Sequence, residues 1–305
     1  MSWRVVYVTN ANKLSLNLNS LQIIQEEETY FVNLNEISVI IIEDYTSTVT
    51  ARLLMEIAQQ GISVLLLGMN KMPVGEFLPI SDNVRTTKMI YQQCNWKPET
   101  KDKLWFEIIK AKITNQIITL KLLGKEEKLE LLLDNINKLT YGDKTNMEGI
   151  SARIYFKELF DDNFIRFDNT IENSCLNLCY HVVRTIISKE IIARGFNTTL
   201  GINHKSQYNT FNFSDDIIEV FRPIVDYYVF NLLKEEEFKE AREITKKLKV
   251  KLIDISNYKV MFSGKQYSIL NVIPYYISVI LKYMEKDGKS EYKNPTLNLN
   301  KDDII

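Results

Sequence analysis

The period of the hydrophobic pattern changes once along this chain, between Gly68 and Asn83, and no all-α or all-β architecture satisfies both halves. Upstream, residues 3–9, 13–18, 21–25 and 30–34 are short, β-branched or alternating, and separated by Asn, Ser or Glu turns. That pattern predicts an antiparallel sheet or small sandwich. The run Val39-Ile40-Ile41-Ile42 reads as a buried strand, residues 50–60 as an amphipathic helix stopped by Gly61, and 62–67 as a second apolar strand. Together they predict a strand, helix, strand crossover. Residues 68–83, with Asn70, Pro73, Gly75, Pro79, Ser81 and Asp82, are expected to form an interdomain linker.

Downstream the spacing is helical. Leu104, Ile108, Ile109, Ile113, Ile117 and Leu120 recur on one face until Gly124, and residues 126–139 continue the pattern. A long helix is expected over 170–194, ended by Gly195. Another is expected from Ser214, with Asp215 and Asp216 at its positive end and a kink at Pro223. Residues 251–255 and 258–269, the latter broken by Ser263-Gly264, suggest a β insertion before a last helix over 270–284. The fold class expected is therefore α+β: a β-sheet or sandwich domain over 1–80, a mainly α-helical domain over 81–288, and a flexible polar tail over 289–305.

Charge narrows the partners. Lys plus Arg number 38 against 39 Asp plus Glu, so no whole-chain field attracts nucleic acid and any DNA binding rests on local patches. The clearest patch is Arg242, Lys246, Lys247, Lys249 and Lys251, which would bind phosphates without reading sequence. The alternative is a solvated helix face balanced by Glu235, Glu236, Glu237 and Glu240. Arg85, Lys88 and Lys205 are further candidates. The chain has no G-x-x-x-x-G-K-[ST] loop, which argues against an NTPase. Neither a signal-peptide pattern nor an apolar run of membrane-spanning length is present, and a cytoplasmic location is expected. Cys94, Cys175 and Cys179 lack the spacing of a disulfide framework or zinc finger, and the latter two are expected to pack in a helix.

Only two histidines occur. His204 follows Gly201-Ile202-Asn203, and Glu219 comes 15 residues later in Asp215-Asp216-Ile217-Ile218-Glu219. With Glu148, they offer an imidazole and two carboxylates, a set suited to Mn²⁺ or Mg²⁺ with zinc possible. A straight helix would hold His204 and Glu219 about 22 Å apart. The intervening Asn-, Ser- and Thr-rich stretch permits a turn that doubles the chain back. Asp216, on the same face as Glu219, could hold a metal-bound water or a second ion. Plainer roles compete: Thr145-x-x-Glu148 fits a capping box, His204 could be a loop residue, and His181 a packed helix residue.

The stretch from Ala193-Arg194-Gly195-Phe196-Asn197 to Gly201-Ile202-Asn203-His204, followed by Asn209-x-Phe211-Asn212-Phe213-x-x-Asp216-x-x-Glu219-x-Phe221-Arg222-Pro223, resembles the signature of the CRISPR-associated Cas1 integrase and endonuclease family. Asn146-x-Glu148-Gly149, Ala152-Arg153-x-Tyr155-Phe156 and the opening Met1-Ser2-Trp3-Arg4 resemble its type II form. The resemblance covers nearly the whole chain. It implies that Glu148, His204 and Glu219 are the metal ligands, for Mg²⁺ or Mn²⁺. It also implies DNA contacts, for which Arg85, Lys205, Arg222, Arg242, Lys246 and Lys247 are the candidates. A homodimer made through the β domain, a Cas2 partner, a type II effector nuclease and a ring-forming accessory protein are implied as well. The implied reaction inserts captured DNA fragments at the leader end of a CRISPR array. A structure-selective repair nuclease and a non-catalytic DNA-binding scaffold are the alternatives. Two departures stand out: Glu219 where much of the family has Asp, and Val220 where Pro is expected.

Overall fold

The computed structural model describes residues 4–297 apart from 27, 70–71 and 81–84. The first three residues, parts of the expected linker and residues 298–305 of the expected tail lie outside the described residues. Strands dominate the beginning: β1 Arg4–Thr9, β2 Lys13–Asn17, β3 Ser20–Gln25, β4 Glu28–Asn33, β5 Ile37–Glu43 and the short β6 Thr48–Val49. Then come α1 Ala51–Gln59, β7 Ser63–Leu67 and β8 Pro73–Phe77.

These strands form two four-stranded sheets, in the orders β1-β5-β7-β8 and β4-β3-β2-β6. The expected crossover is present, since β5 and β7 pair in parallel on either side of α1. Thr50 caps α1 by accepting from the Leu53 N–H, and Gly61, at φ 66°, closes it. Of the strands expected to pair antiparallel, only β2, β3 and β4 do so. β1 instead lies parallel beside β5, because its alternating Val and Tyr residues extend the sheet that Val39–Ile42 nucleate. Both faces of that sheet are covered, as a continuous apolar strand requires. Ile40, Ile42 and Val64 pack with α1 and the second sheet, whereas Val39, Ile41, Leu65 and Leu67 join the core of the helices.

The segment expected to be a linker is partly sheet. β8 pairs antiparallel with β7, from Val64 opposite Phe77 to Leu67 opposite Pro73. Pro73 and Gly75 hide this strand from pattern reading, but a proline at the start of an edge strand breaks no ladder.

Helices follow: α2 Thr86–Cys94, α3 Pro98–Leu122, α4 Leu129–Lys138, α5 Met147–Leu159, α6 Ile171–Ala193, α7 Asn212–Ile218, α8 Arg222–Lys234 and α9 Lys246–Ile253. A hairpin of β9 Lys259–Phe262 and β10 Lys265–Ser268 leads into α10 Ile269–Glu285. α3 packs on α4, α5, α8 and α10, and α6 on α7, α8, α9 and α10, so these two long helices form the centre. Cys175 and Cys179 are buried in α6.

Three further expectations change. Residues 251–255 end a helix capped by Thr245, because Leu248 and Leu252 bury at helical spacing, and only 259–268 form the β insertion. Its Ser263-Gly264 turn has positive φ at both residues, as a two-residue hairpin favours. The tail is packed as far as Leu297, which is buried. Thr296 pairs with Met261 through both backbone groups, and the Asn115 amide donates to the Pro295 carbonyl at 3.0 Å. The basic patch loses Lys249, which is buried and pairs with Glu43 at the end of β5.

That pair ties α9 to the parallel sheet. Lys249→Met should destabilise the protein by about 3 kcal/mol, because Glu43 is left without its cation. Adding Glu43→Gln should recover most of the loss, as measured by urea unfolding of both variants.

Candidate active site

Three local devices set the three expected residues. At the start of α5, Asn146 sits in the left-handed region at φ 55° and its side chain accepts from the Gly149 N–H. Asp143 accepts from the Met147 and Glu148 N–H groups at 2.7 and 2.8 Å. Thr145 is therefore not the cap, and the capping-box reading of Glu148 is overturned: its carboxylate turns away, to Lys112 on α3.

Glu219 stands where α7 gives way to α8. Pro223, in the first turn of α8, has no N–H to continue a helix, so the chain bends between Ile218 and Arg222 and aims Glu219 inward. The expected kinked helix is thus two helices. The first begins at Asn212, so Ser214 is no cap: it is buried and shares a hydrogen bond with Ser188 of α6 at 2.9 Å.

His204 reaches the site through the expected doubling back. The carboxylate of Asp216, fully buried in α7, accepts from the backbone N–H of Ile202 at 2.5 Å and of His204 at 3.0 Å, and from His204 Nδ1 at 2.8 Å. Its oxygens bond the loop backbone and the imidazole, so Asp216 holds His204 in place, and it is not among the residues that line the cavity with Glu148, His204 and Glu219. Gly201 is required by the same packing. A Cβ there would lie 2.4 Å from the His204 carbonyl oxygen and 2.8 Å from Asp216 Oδ2. Trp105 supports the imidazole edge-on, with ring centroids 5.7 Å apart.

The two glutamates converge on one atom. Lys112 Nζ lies 2.6 Å from Glu148 Oε1 and also bonds Glu219 Oε2, while Arg222 Nε lies 2.7 Å from Glu219 Oε1. Burial alone would raise the Glu219 carboxyl, but Arg222 and Lys112 outweigh it and hold it at about 2. Burial opposes the Lys112 charge, and Glu219 and Glu148 more than restore it, so its pKa is raised. The hydrogen bond that His204 donates to Asp216 raises the imidazole, with burial opposing. Burial raises Asp216 in turn, against the bonds from His204 that lower it.

Glu148, His204 and Glu219 line one cavity of about 540 Å³, together with Lys112, Arg166 and Arg184. Arg222, a DNA-binding candidate from the sequence, lies here too, over the Tyr180 ring at 4.7 Å. Sequence reading missed Lys112. Its signal was a lysine at an apolar position of α3, in register with Leu104 and Ile108. It also missed Arg166 and Arg184, and Glu76 of β8, which lies 3.6 Å from Arg184 and so ties the first sheet to the cavity wall. His181 is on that wall as well, with Nδ1 at 2.8 Å from Arg184. Lys205 is exposed beside His204, and Arg85 is exposed before α2. Arg242, Lys246 and Lys247 are exposed at or just before α9 and do not line the cavity; Lys247 pairs with Glu237.

Among the described residues, no three His, Cys, Asp or Glu side chains stand together at metal-holding spacing. The donor chemistry nevertheless fits a hard divalent cation. Two carboxylates already share one cationic atom, and Asp216 occupies His204 Nδ1, which leaves Nε2 to donate. None of the helices described is long and apolar enough to cross a membrane.

A family model described as CRISPR associated protein Cas1 matches residues 6–261. The chain is 33% identical over 297 residues to a CRISPR-associated endonuclease Cas1 of Neisseria meningitidis serogroup C, covering 97% of each. Among solved structures, a casposase bound to integration product superposes with a TM-score of 0.76 at 19% identity, covering 100% of this chain and 97% of that one. A Cas6-RT-Cas1–Cas2 complex gives 0.75 at 15% identity, over 94% of this chain and 35% of that chain. These two likenesses establish the fold: strands first, a helical remainder after.

The two histidines should titrate on opposite sides of 6.5. Burial, with Arg184 and Arg222, takes His181 down to about 4, whereas Asp216 takes His204 up. As pH falls from 6.5 toward about 4, the unfolded chain protonates at His181 before the folded one does, so this residue withdraws stability over that window. Imidazole resonances followed by NMR in metal-free protein check both directions, and Asp216→Asn should bring the His204 value down while leaving His181 unchanged.

Proposed function

The chain belongs to the CRISPR-associated Cas1 family, and from that premise we propose that it is a CRISPR adaptation integrase of the type II form. It inserts captured foreign DNA fragments at the leader–repeat boundary of the array by metal-dependent transesterification. The observation that carries this reading is the convergence of Glu148 and Glu219 on a single cationic atom, in the cavity that His204 also lines.

In the proposed reaction a 3′-hydroxyl oxygen of the fragment attacks a phosphodiester phosphorus. The new P–O bond forms as the bond to the leaving 3′-oxygen breaks, the nucleophile gives up its proton, and the leaving oxygen takes one. With water as nucleophile the same site cuts DNA, which agrees with the name endonuclease carried by the Neisseria relative. Glu148, Glu219 and His204 Nε2 would hold Mg²⁺ or Mn²⁺. Such an ion supplies polarisation of the phosphate and charge stabilisation at the leaving oxygen. Asp216 fixes the tautomer and orientation of His204, and Arg222 fixes Glu219. Arg166 and Arg184 give the cavity wall positive charge suited to phosphate oxygens.

DNA is the proposed partner along Lys205, Arg85, Arg222 and the exposed Arg242, Lys246 and Lys247. Cas2 is proposed as a protein partner, in keeping with the fold this chain shares with part of one chain of the Cas6-RT-Cas1–Cas2 complex. A type II effector nuclease and a ring-forming accessory protein follow from the type II reading. A homodimer is proposed through the N-terminal strands, where the edge strand β4 leaves Tyr30 and Phe31 about half exposed.

Glu148→Gln and His204→Ala should each keep cooperative unfolding and DNA binding while lowering Mn²⁺-dependent strand transfer by more than about 100-fold. The measurement is joining of a labelled fragment to leader–repeat DNA in the presence of Cas2. Full activity in either variant would sink the site assignment. Equal activity on generic branched DNA would point to a repair nuclease, and DNA binding without any metal-dependent joining to a scaffold.

A further inference from the structure

Between the two carboxylates lies a side chain that the proposed reaction does not call for. Lys112 belongs to α3, its side chain is only 7% exposed, and its neighbours on the buried helix face are Ile108, Ile109 and Ile113. A lysine is costly in such a place unless its charge is matched. Here it is matched twice, by Glu148 at 2.6 Å and by Glu219, while Arg222 holds the other oxygen of Glu219.

Two glutamates therefore face two cations, and the cluster balances without any metal ion. Without Lys112, two carboxylates drawn to one point would repel and splay apart or take up protons. With it, they stay gathered and ionised. Mg²⁺ needs the same oxygens at roughly 2.0 to 2.1 Å. It would have to enter the space that the ammonium fills, against the repulsion of that positive charge at short range.

We propose that Lys112 is the resident counter-ion of the metal-free site, and that its ammonium, seated between Glu148 and Glu219, is the group a divalent metal ion must displace. The lysine keeps the donors gathered before the ion arrives and lowers the affinity with which the ion is held. This inference rests on the reading of Glu148, His204 and Glu219 as metal ligands, so its test separates the two.

Mn²⁺ binding to the full-length chain is measured by isothermal titration for the wild type, Lys112→Met and Glu219→Gln. Lys112→Met should bind Mn²⁺ at least about tenfold more tightly than wild type, since a competing unit charge is gone. It should unfold at a lower temperature without metal and gain more from added Mn²⁺. Unchanged or weaker binding in Lys112→Met, with binding lost in Glu219→Gln, overturns the role of Lys112 and leaves the metal site standing. Unaltered binding in Glu219→Gln overturns the metal site itself. Should Lys112→Met fail to fold, the wild type decides: reductive dimethylation read by mass spectrometry should label Lys112 slowly in metal-free protein and faster at saturating Mn²⁺. Labelling that Mn²⁺ does not change overturns the proposal.

Discussion

A carboxylate cannot be buried among packed helices unless cations go in with it, and Glu219 imposes that condition on the whole helical part of this protein. Its side chain is 4% exposed, with Lys112 of α3 on one oxygen and Arg222 of α8 on the other. α3 must run close to the junction of α7 and α8 to deliver the lysine. α5 must begin beside α3, so that Glu148 can share the same ammonium. Arg222 must lie against the cavity wall, where it stacks on Tyr180 of α6. Tyr180 in turn bonds the buried Asp226 of α8, whose carboxyl burial raises to about 6. One buried charge thus fixes the mutual placement of α3, α5, α6, α7 and α8.

The loop carrying His204 depends on a second buried carboxylate. Asp216 collects backbone N–H groups that would otherwise be unsatisfied in a turn, and spends its remaining capacity on the imidazole. Further bonds hold the loop to the body: Gln93 of α2 donates to the Asn197 and Leu200 carbonyls, and Asn212 to those of Thr199 and Ser206. α2, which the sequence reading did not single out within the helical region, therefore has a positional role. Through Glu76 and Arg184 the first sheet reaches the same wall, so the strands and the cavity belong to one connected structure.

Much of the architecture was legible because burial writes itself into hydrophobic period. The crossover β5–α1–β7, the long helices α3 and α6, the Ser263-Gly264 hairpin and the final helix follow from spacing, capping residues and turn glycines. β8 was hidden by Pro73 and Gly75, which mark a break in most contexts and here sit on an edge strand. α9 was hidden by the strand-like alternation of Lys247, Lys249 and Lys251 with Leu248, Val250 and Leu252, which the burial of Leu248 and Leu252 at helical spacing overrode. The packed segment up to Leu297 looks polar because it is held by backbone bonds and a few aromatic contacts.

For the site, the sequence by itself determined which groups exist: a scarce histidine, two glutamates whose motifs resemble those of one family, and a loop composition that lets the chain fold back. Only the tertiary structure decided what each group does. Glu148 is a cap or a site residue according to where its carboxylate turns, and Asp216 faces an ion or an imidazole according to which backbone N–H groups surround it. Lys112 is a surface charge or a counter-ion according to what lies across from α3. Those choices are made by contacts between residues from 12 to 107 positions apart. Local patterning carries no record of such contacts, because the energy of a buried charge is set by its spatial neighbours and not by its neighbours in the chain.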